Sequence, residues 1–257
     1  MKVLVAVPVF NEEGYVQRVL AEIRRYAQDV LVVNDGSTDR TGEILEAMAR
    51  RGDIALLTHP ENRGYGQSLI DAFKYASERG YDWIITMDCD EQHEPSRIPA
   101  FMAACRENNE GGVDIISGSR YMPGSGEDGQ PPADRRSINR VMTDLLNSIL
   151  GWELTDSFCG FKAHRVKALE KLALTIPGYA FPMQFWVQVR YAGLKVAELP
   201  VRLIYKDATR HFGGLLDDPT ARLGHYMEVL TQELAAVRSW GREEEGACAA
   251  CCGCEEG

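Results

Sequence analysis

Basic charge is what this 257-residue chain is short of: 28 Lys and Arg stand against 38 Asp and Glu, a formal net charge of −10. Binding a nucleic acid needs a basic face to neutralise phosphates, so the composition argues against that class. Long apolar runs are missing too, and none approaches the roughly 20 residues of a membrane helix. The apolar start, Met1–Phe10, carries Pro8 and runs straight into Asn11-Glu12-Glu13. That suits a first strand and makes a poor signal peptide. Cysteine is sparse through most of the chain: Cys89, Cys105 and Cys159 are far apart, as reduced core thiols are. These absences together predict a soluble, cytoplasmic protein.

The remaining four cysteines, Cys248, Cys251, Cys252 and Cys254, crowd into the last ten residues. CxxCCxC has thiols enough to grip a metal but no second ligand pair at zinc-finger spacing. The favoured reading of 241–257 is a flexible Cys/Glu-rich tail, with 1–240 as the folded domain. Residues 243–257 hold five Glu and no basic residue, which leaves 1–242 with 28 basic against 33 acidic residues.

What is present is an alternation. VLVAVPVF (3–10), VLVV (30–33), IALLT (54–58), WIITM (83–87) and VDIIS (113–117) are short, Val/Ile-rich and apolar on both faces, as buried parallel strands are. Helical patterns near 13–27, 40–51, 65–79 and 95–108 separate them, the last with Pro95 at its first position. This order predicts a doubly wound α/β sheet whose strand-end loops share one ligand-binding edge. Residues 119–134 are rich in Gly and Pro and read as a long functional loop. A helix follows with Ile138, Val141, Met142, Leu145, Leu146, Ile149 and Leu150 on one stripe. Residues 195–205 read as a strand at an edge or bulge because of Pro200. The last helix is expected from Asp217-Asp218-Pro219 to about Trp240. Its stripe of Leu223, Tyr226, Leu230, Leu234 and Val237 suits the core or a homodimer contact.

The acids fall at strand ends. Asp35 follows VLVVN, and Asp88 and Asp90 follow WIITM. Two carboxylates one residue apart repel unless a cation sits between them, and Mg²⁺ completes its shell with substrate phosphates. A solvated acidic turn is the plain alternative, against which stand the buried strand before it and Gln92-His93 beside it. In NDGSTD (34–39), Gly36 permits a tight turn and Ser37 and Thr38 are placed to cap the next helix. Arg135 and Arg136 begin the striped helix, where the dipole disfavours cations; they fit either an anion site or a salt bridge to Asp134 or to acids in the preceding loop.

VPVFNEEGYV, VVNDGSTD, ENRGYGQSL, TMDCDEQHEP, SGSRYMPGS and DSFCGFKAHR, in that order over residues 1–205, resemble the motifs of family 2 glycosyltransferases of GT-A fold. The branch they resemble holds dolichyl-phosphate mannosyltransferases and other polyprenyl-phosphate glycosyltransferases. The resemblance implies a Rossmann-like three-layer α/β/α fold with a mostly parallel central sheet. It also implies inverting sugar transfer from a GDP- or UDP-linked donor with Mg²⁺ or Mn²⁺. By the same matching, Pro8, Phe10, Glu12 and Asp35 hold base and ribose, and Asp88, Asp90 and Gln92 hold the metal and diphosphate. Arg120 faces the sugar-diphosphate, and Arg135, Arg136 and Asn139 receive the acceptor's phosphate. Asp156, opening DSFCGF, serves either as catalytic base or as the cap of its turn.

Departures from the family pattern are Asn34 for a first Asp, Gln184 for a frequent Glu, His211 as the donor-binding residue where a Lys often meets the diphosphate, and Tyr205-Lys206 in place of an Arg. The segment 210–219 reads as a lid with Gly213 and Gly214 as hinges. C-terminal membrane helices found in part of the branch are not in this sequence, which suggests at most peripheral contact with the inner membrane face. A nucleotide-sugar-binding relative that has lost catalysis is the competing reading.

Overall fold

The computed structural model describes residues 1–90, 92–129, 131–205 and 214–251, with side chains as far as Val237. The expected apolar runs become β1 (Val3–Val9), β2 (Val30–Asn34), β3 (Ala55–Thr58), β4 (Trp83–Thr86) and β5 (Ile115–Ser119). Between them lie α1 (Val16–Ile23), α2 (Thr41–Arg50), α3 (Tyr65–Glu78) and α4 (Ile98–Glu107). Pro95 sits on a short 3₁₀ turn, Pro95–Arg97, that leads into α4. The second half adds β6 (Glu127–Asp128), α5 (Ala133–Leu150), β7 (Lys162–Arg165), α6 (Val166–Leu169), α7 (Phe181–Tyr191), β8 (Val196–Pro200), β9 (Leu203–Ile204) and α8 (Pro219–Cys251).

Seven strands form one sheet in the order β3-β2-β1-β4-β7-β5-β8, and every pairing is parallel except those of β7, which runs antiparallel to β4 and β5. Alternate residues of β1 feed two cores. Leu4 and Ala6 pack with α3, α5, α7 and α8; Val5, Val7 and Val9 pack with α1, α2 and α4. The three-layer α/β/α arrangement follows from that two-sided burial. Chain order reverses between β1 and β4, so the loops after these two strands flank the crevice where such sheets bind ligands.

Several expectations need correction. The strand over 195–205 breaks after Pro200: β8 is the sheet's edge, and β9 pairs instead with β6 from the Gly/Pro-rich loop. On α5, Val141 and Ile149 are exposed, so the buried face is narrower and runs through Ile138, Met142, Leu146 and Leu150. The stripe of α8 is core, one of the two roles expected for it: Tyr226, Leu230 and Val237 are buried, and Leu223 and Leu234 pack against them. The helix continues to Cys251, past the expected end near Trp240. Neither β7 nor α7 was anticipated.

β7 places His164 inside the sheet's core, its ring 5.0 Å from Phe73 and 5.4 Å from Phe185, with Nδ1 unpartnered among the described residues. Burial, helped by Lys162, lowers its pKa from 6.5 to about 3. The unfolded chain therefore binds a proton that the fold refuses, and stability must fall as pH drops from about 6.5 towards about 3. Replacing His164 with leucine is expected to make the acid limb of the Tm-against-pH curve shallower. A variant melting as steeply as wild type across that range would contradict this.

Candidate active site

A cavity of about 800 Å³ opens at the carboxyl ends of β1 and β4. Pro8 lines it from the last residues of β1, Phe10 and Glu12 from the loop that follows, and Asp35 from the end of β2. Asp88, Asp90 and Gln92 enter from the loop after β4, and Arg120 from the end of β5. Arg135, Arg136 and Asn139 complete it from the first turns of α5. The structure thus brings together every expected site residue but two. Asp156 lies behind Arg120, outside the lining, and His211 lies outside the described residues, as do Lys206 and the expected lid hinge Gly213.

The β1 and β2 loops are clamped to one another. Asn34 Oδ1 accepts the Ser37 N–H at 3.1 Å, which closes the turn that Gly36 (φ 68°) permits; a Cβ at Gly36 would stand 2.2 Å from the Glu61 backbone. Ser37 and Thr38 do not cap α2. Ser37 Oγ accepts the Asn11 N–H, and the Thr38 N–H donates to Asn11 Oδ1. Asn11 itself sits at φ 54°, in the left-handed region that asparagine tolerates. Asp39 takes the place nearest the helix start, accepting the Thr41 N–H at 2.9 Å.

Asp35 is buried and largely satisfied by protein groups: its Oδ1 accepts the Arg63 N–H at 2.8 Å and its Oδ2 the Gly64 N–H at 2.9 Å. His59 Nδ1 lies 2.7 Å from Oδ1, while His59 Nε2 lies 3.0 Å from Asp71 Oδ2. Carboxylates only accept, so both contacts are hydrogen bonds only when both ring nitrogens carry protons. Neither His59 nor Asp71 stands out in the sequence: a His just past a strand and an Asp seven residues into a helix show no local pattern. β2–β3 pairing brings His59 to Asp35, and α3 brings Asp71 to His59.

Around the paired acids, Tyr65 Oη donates to Asp88 Oδ1 at 3.0 Å, and the Asp88 N–H donates to His93 Nδ1 at 3.1 Å. Burial lowers the His93 pKa to about 4 against the opposing pull of Asp90, so the ring is neutral at neutral pH. With Nδ1 accepting, its proton is on Nε2, facing Cys159 Sγ at 3.8 Å. Among the described residues no group of three or more His, Cys, Asp or Glu is placed to hold a cation. Asp88 and Asp90 are therefore a hard-oxygen pair whose remaining ligands would come from phosphate oxygens and water, which fits Mg²⁺ or Mn²⁺.

Across the cavity, Arg120 Nε and Nη2 donate to Asp156 Oδ2 and Oδ1 at 2.7 and 3.0 Å. The Phe158 and Cys159 N–H groups donate to the same carboxylate at 3.1 Å each. Burial alone would push the Asp156 carboxyl up, and Arg120 more than offsets it, leaving it below the usual range. Of the two roles open to Asp156, the geometry displays the turn cap, combined with a fork that aims Arg120. The salt bridge considered for Arg135 and Arg136 is not made by Asp134, which is taken by Arg222 at 2.6 Å. Arg135 Nη1 instead donates to Tyr205 Oη at 2.7 Å.

Residues 4–173 match the family model described as glycosyl transferase family 2. The chain belongs to glycosyl transferase family 2. An undecaprenyl-phosphate mannosyltransferase of Micrococcus luteus is 29% identical over 226 residues, covering 85% of this chain and 90% of the relative. A polyprenol monophosphomannose synthase of Mycolicibacterium smegmatis is 28% identical over 207 residues, 78% of this chain and 76% of the relative. Among solved structures, glucosyl-3-phosphoglycerate synthase from Mycobacterium tuberculosis superposes with a TM-score of 0.63 at 18% identity, over 92% of this chain and 79% of that one. The GT-A architecture expected from the motifs is the one found.

One further residue of this family 2 glycosyltransferase matters to the acid pair. A Cβ on Gly160 would stand 2.4 Å from Asp88 Oδ2 and 2.8 Å from Tyr65 Oη. Gly160→Ala is expected to displace the Asp88 carboxylate and cut sugar transfer by about 10²-fold, the scale of a 1 Å misplacement. Circular dichroism should show a folded protein; wild-type turnover in that variant would remove Asp88 from the site.

Proposed function

We propose that this chain moves a hexose from a GDP- or UDP-linked donor to a polyprenyl phosphate, with inversion at the anomeric carbon. The observation that carries the reading is the division of one cavity into an acid pair, Asp88 and Asp90, and a set of arginines, Arg120, Arg135 and Arg136. Support for the acceptor comes from the relatives named for undecaprenyl-phosphate and polyprenol mannosyl transfer.

In this reading Pro8, Phe10, Glu12 and Asp35 seat the nucleoside, and Asp88 and Asp90, with Gln92 beside them, hold Mg²⁺ or Mn²⁺. Such a cation, when bound, offsets the charge of the departing diphosphate. Arg120 keeps three N–H donors outside its pair with Asp156 and offers them to the sugar-diphosphate. Arg135, Arg136 and Asn139, at an α5 start that has no side-chain cap, receive the acceptor phosphate. A phosphate oxygen of the acceptor forms the bond to the anomeric carbon as the bond to the diphosphate breaks. An anionic acceptor needs little help from a base, so Asp156 acts by holding Arg120. No described helix is long and apolar enough to cross a bilayer, and the lipid phosphate would be met at the membrane surface.

The test is to incubate the protein with UDP- and GDP-hexoses, with and without Mn²⁺, and with and without a short polyprenyl phosphate. The expected product is a metal-dependent polyprenyl-phosphate hexose, seen by mass spectrometry. Failure to bind or consume any nucleotide sugar would end the reading.

A further inference from the structure

Four buried side-chain polar atoms have no partner among the described residues: Ser68 Oγ, Trp83 Nε1, Arg97 Nε and His164 Nδ1. Of these, only Ser68 belongs to a residue in the wall of the 800 Å³ cavity. A buried hydroxyl without a partner is an uncompensated desolvation, and native folds keep few of them. Its place in a ligand cavity gives the exception a reason.

The position narrows what the hydroxyl meets. Ser68 stands on α3, four residues after Gly64 and three after Tyr65, so all three share one side of the helix. The Gly64 N–H binds Asp35 Oδ2 at 2.9 Å, and Tyr65 Oη binds Asp88 Oδ1 at 3.0 Å. Ser68 therefore lies on the stretch of wall between the carboxylate at the end of β2 and the first of the acid pair. Its N–H is already spent on Gly64 O at 3.1 Å. A serine inside a helix commonly turns its hydroxyl to the carbonyl four residues back; this one makes no such bond. The turn is also pinned from outside, because the Gln67 N–H donates to Pro177 O at 3.0 Å and a Cβ on Gly66 would meet Ile176 O at 2.2 Å. The helix turn that carries this fully buried hydroxyl thus has no room to move away.

We propose that Ser68 Oγ hydrogen-bonds the nucleoside part of the donor, at a ribose hydroxyl or a base heteroatom lying between Asp35 and Asp88, and sets nucleotide affinity. The inference rests on the donor reading above. Ser68 acts on the bound nucleoside, which is common to ground and transition states, so its loss raises KM and leaves kcat at saturating donor nearly unchanged.

The experiment is titration of UDP and GDP, each with Mn²⁺, into wild type and Ser68→Ala, alongside the melting of both proteins without ligand. The expected result is binding weaker by about 5- to 30-fold in the variant, the range of one lost hydrogen bond. The ligand-free Tm should be equal or higher, since the hydroxyl removed bonds nothing in the fold. A structural serine would behave oppositely, lowering the ligand-free Tm. Either that fall or wild-type affinity in Ser68→Ala would overturn the inference while leaving the donor reading in place. Failure of wild type itself to bind either nucleotide would overturn both. 2′-Deoxy- and 3′-deoxy-UDP separate the two partners. A ribose contact makes one of them insensitive to the variant, and a base contact leaves both as sensitive as UDP.

Discussion

Asp90→Ala is expected to lower sugar transfer by about 10³-fold, the equivalent of roughly 4 kcal/mol of transition-state stabilisation, and to leave the fold intact. The asymmetry between those effects comes from where the side chain sits. Asp90 is half-buried on the loop after β4, and its carboxylate accepts the Gln92 N–H at 3.1 Å. A bond of that kind is worth about 1 kcal/mol to stability. Asp88 is the less clean target because it also accepts from Tyr65 and its own N–H is held by His93. Rates with increasing Mn²⁺ and a thermal melt of the same preparation make the check. A variant that transfers sugar at the wild-type rate would take the acid pair out of the chemistry.

The second large effect falls on the fold as well as on the rate. Asp156 is 1% exposed and accepts two N–H bonds from the Arg120 side chain, one from the Arg120 backbone and two from the turn that follows. Removing it leaves a guanidinium in the interior without its counter-charge. Asp156→Ala is expected to cost about 3–5 kcal/mol, a drop in Tm of roughly 6–20 °C. The carboxyl is held below its ordinary range, so its contribution is whole above about pH 4 and is lost as pH falls below that. Urea unfolding at pH 7 and pH 3 should therefore show the variant's deficit shrinking in acid. Were Asp156 a base alone, the rate would fall with stability unchanged.

The parts of the molecule legible from sequence are those governed by local pattern. β1, β2, β4 and β5 announce themselves because both of their faces are buried, whereas β3 is a half-buried edge strand that the pattern IALLT gives as fully buried. The carboxylates at the strand ends fall on one edge from the pattern alone. β7 could not be read this way. KAHR looks like a surface strand, yet Lys162 and His164 are buried, the lysine bonded to the Cys159 carbonyl and standing 5.4 Å over Trp186. Only the tertiary surroundings make those letters suitable for a core.

The departures from the family pattern show the same limit. Asn34 replaces an acid, and its amide oxygen closes the turn on Ser37. Gln184 replaces another, and its Nε2 donates to the buried Glu233 at 2.8 Å, where a glutamate would lack the amide donor. Its Oε1 accepts the Thr175 and Ile176 N–H groups, just before the segment that carries Tyr179 to the cavity. Read singly, these substitutions suggest a decayed site. In the structure both are accounted for by their neighbours, which weakens the case for a non-catalytic relative.

The antiparallel strand has a consequence for how the molecule is made. Residues 162–165 lie between β4 and β5, so the middle of the sheet is filled by a segment that leaves the ribosome after both its neighbours. Until then, the nascent chain carries a β3-β2-β1-β4 half-sheet with a bare hydrogen-bonding edge on β4, and a lone β5 whose other neighbour, β8, emerges later still. Residues 1–119 hold four consecutive α/β units and still are not a self-sufficient piece. The closing contacts join Trp83 to Arg165 and Ile115 to His164, separations of many tens of residues that slow folding and delay it until most of the chain has emerged.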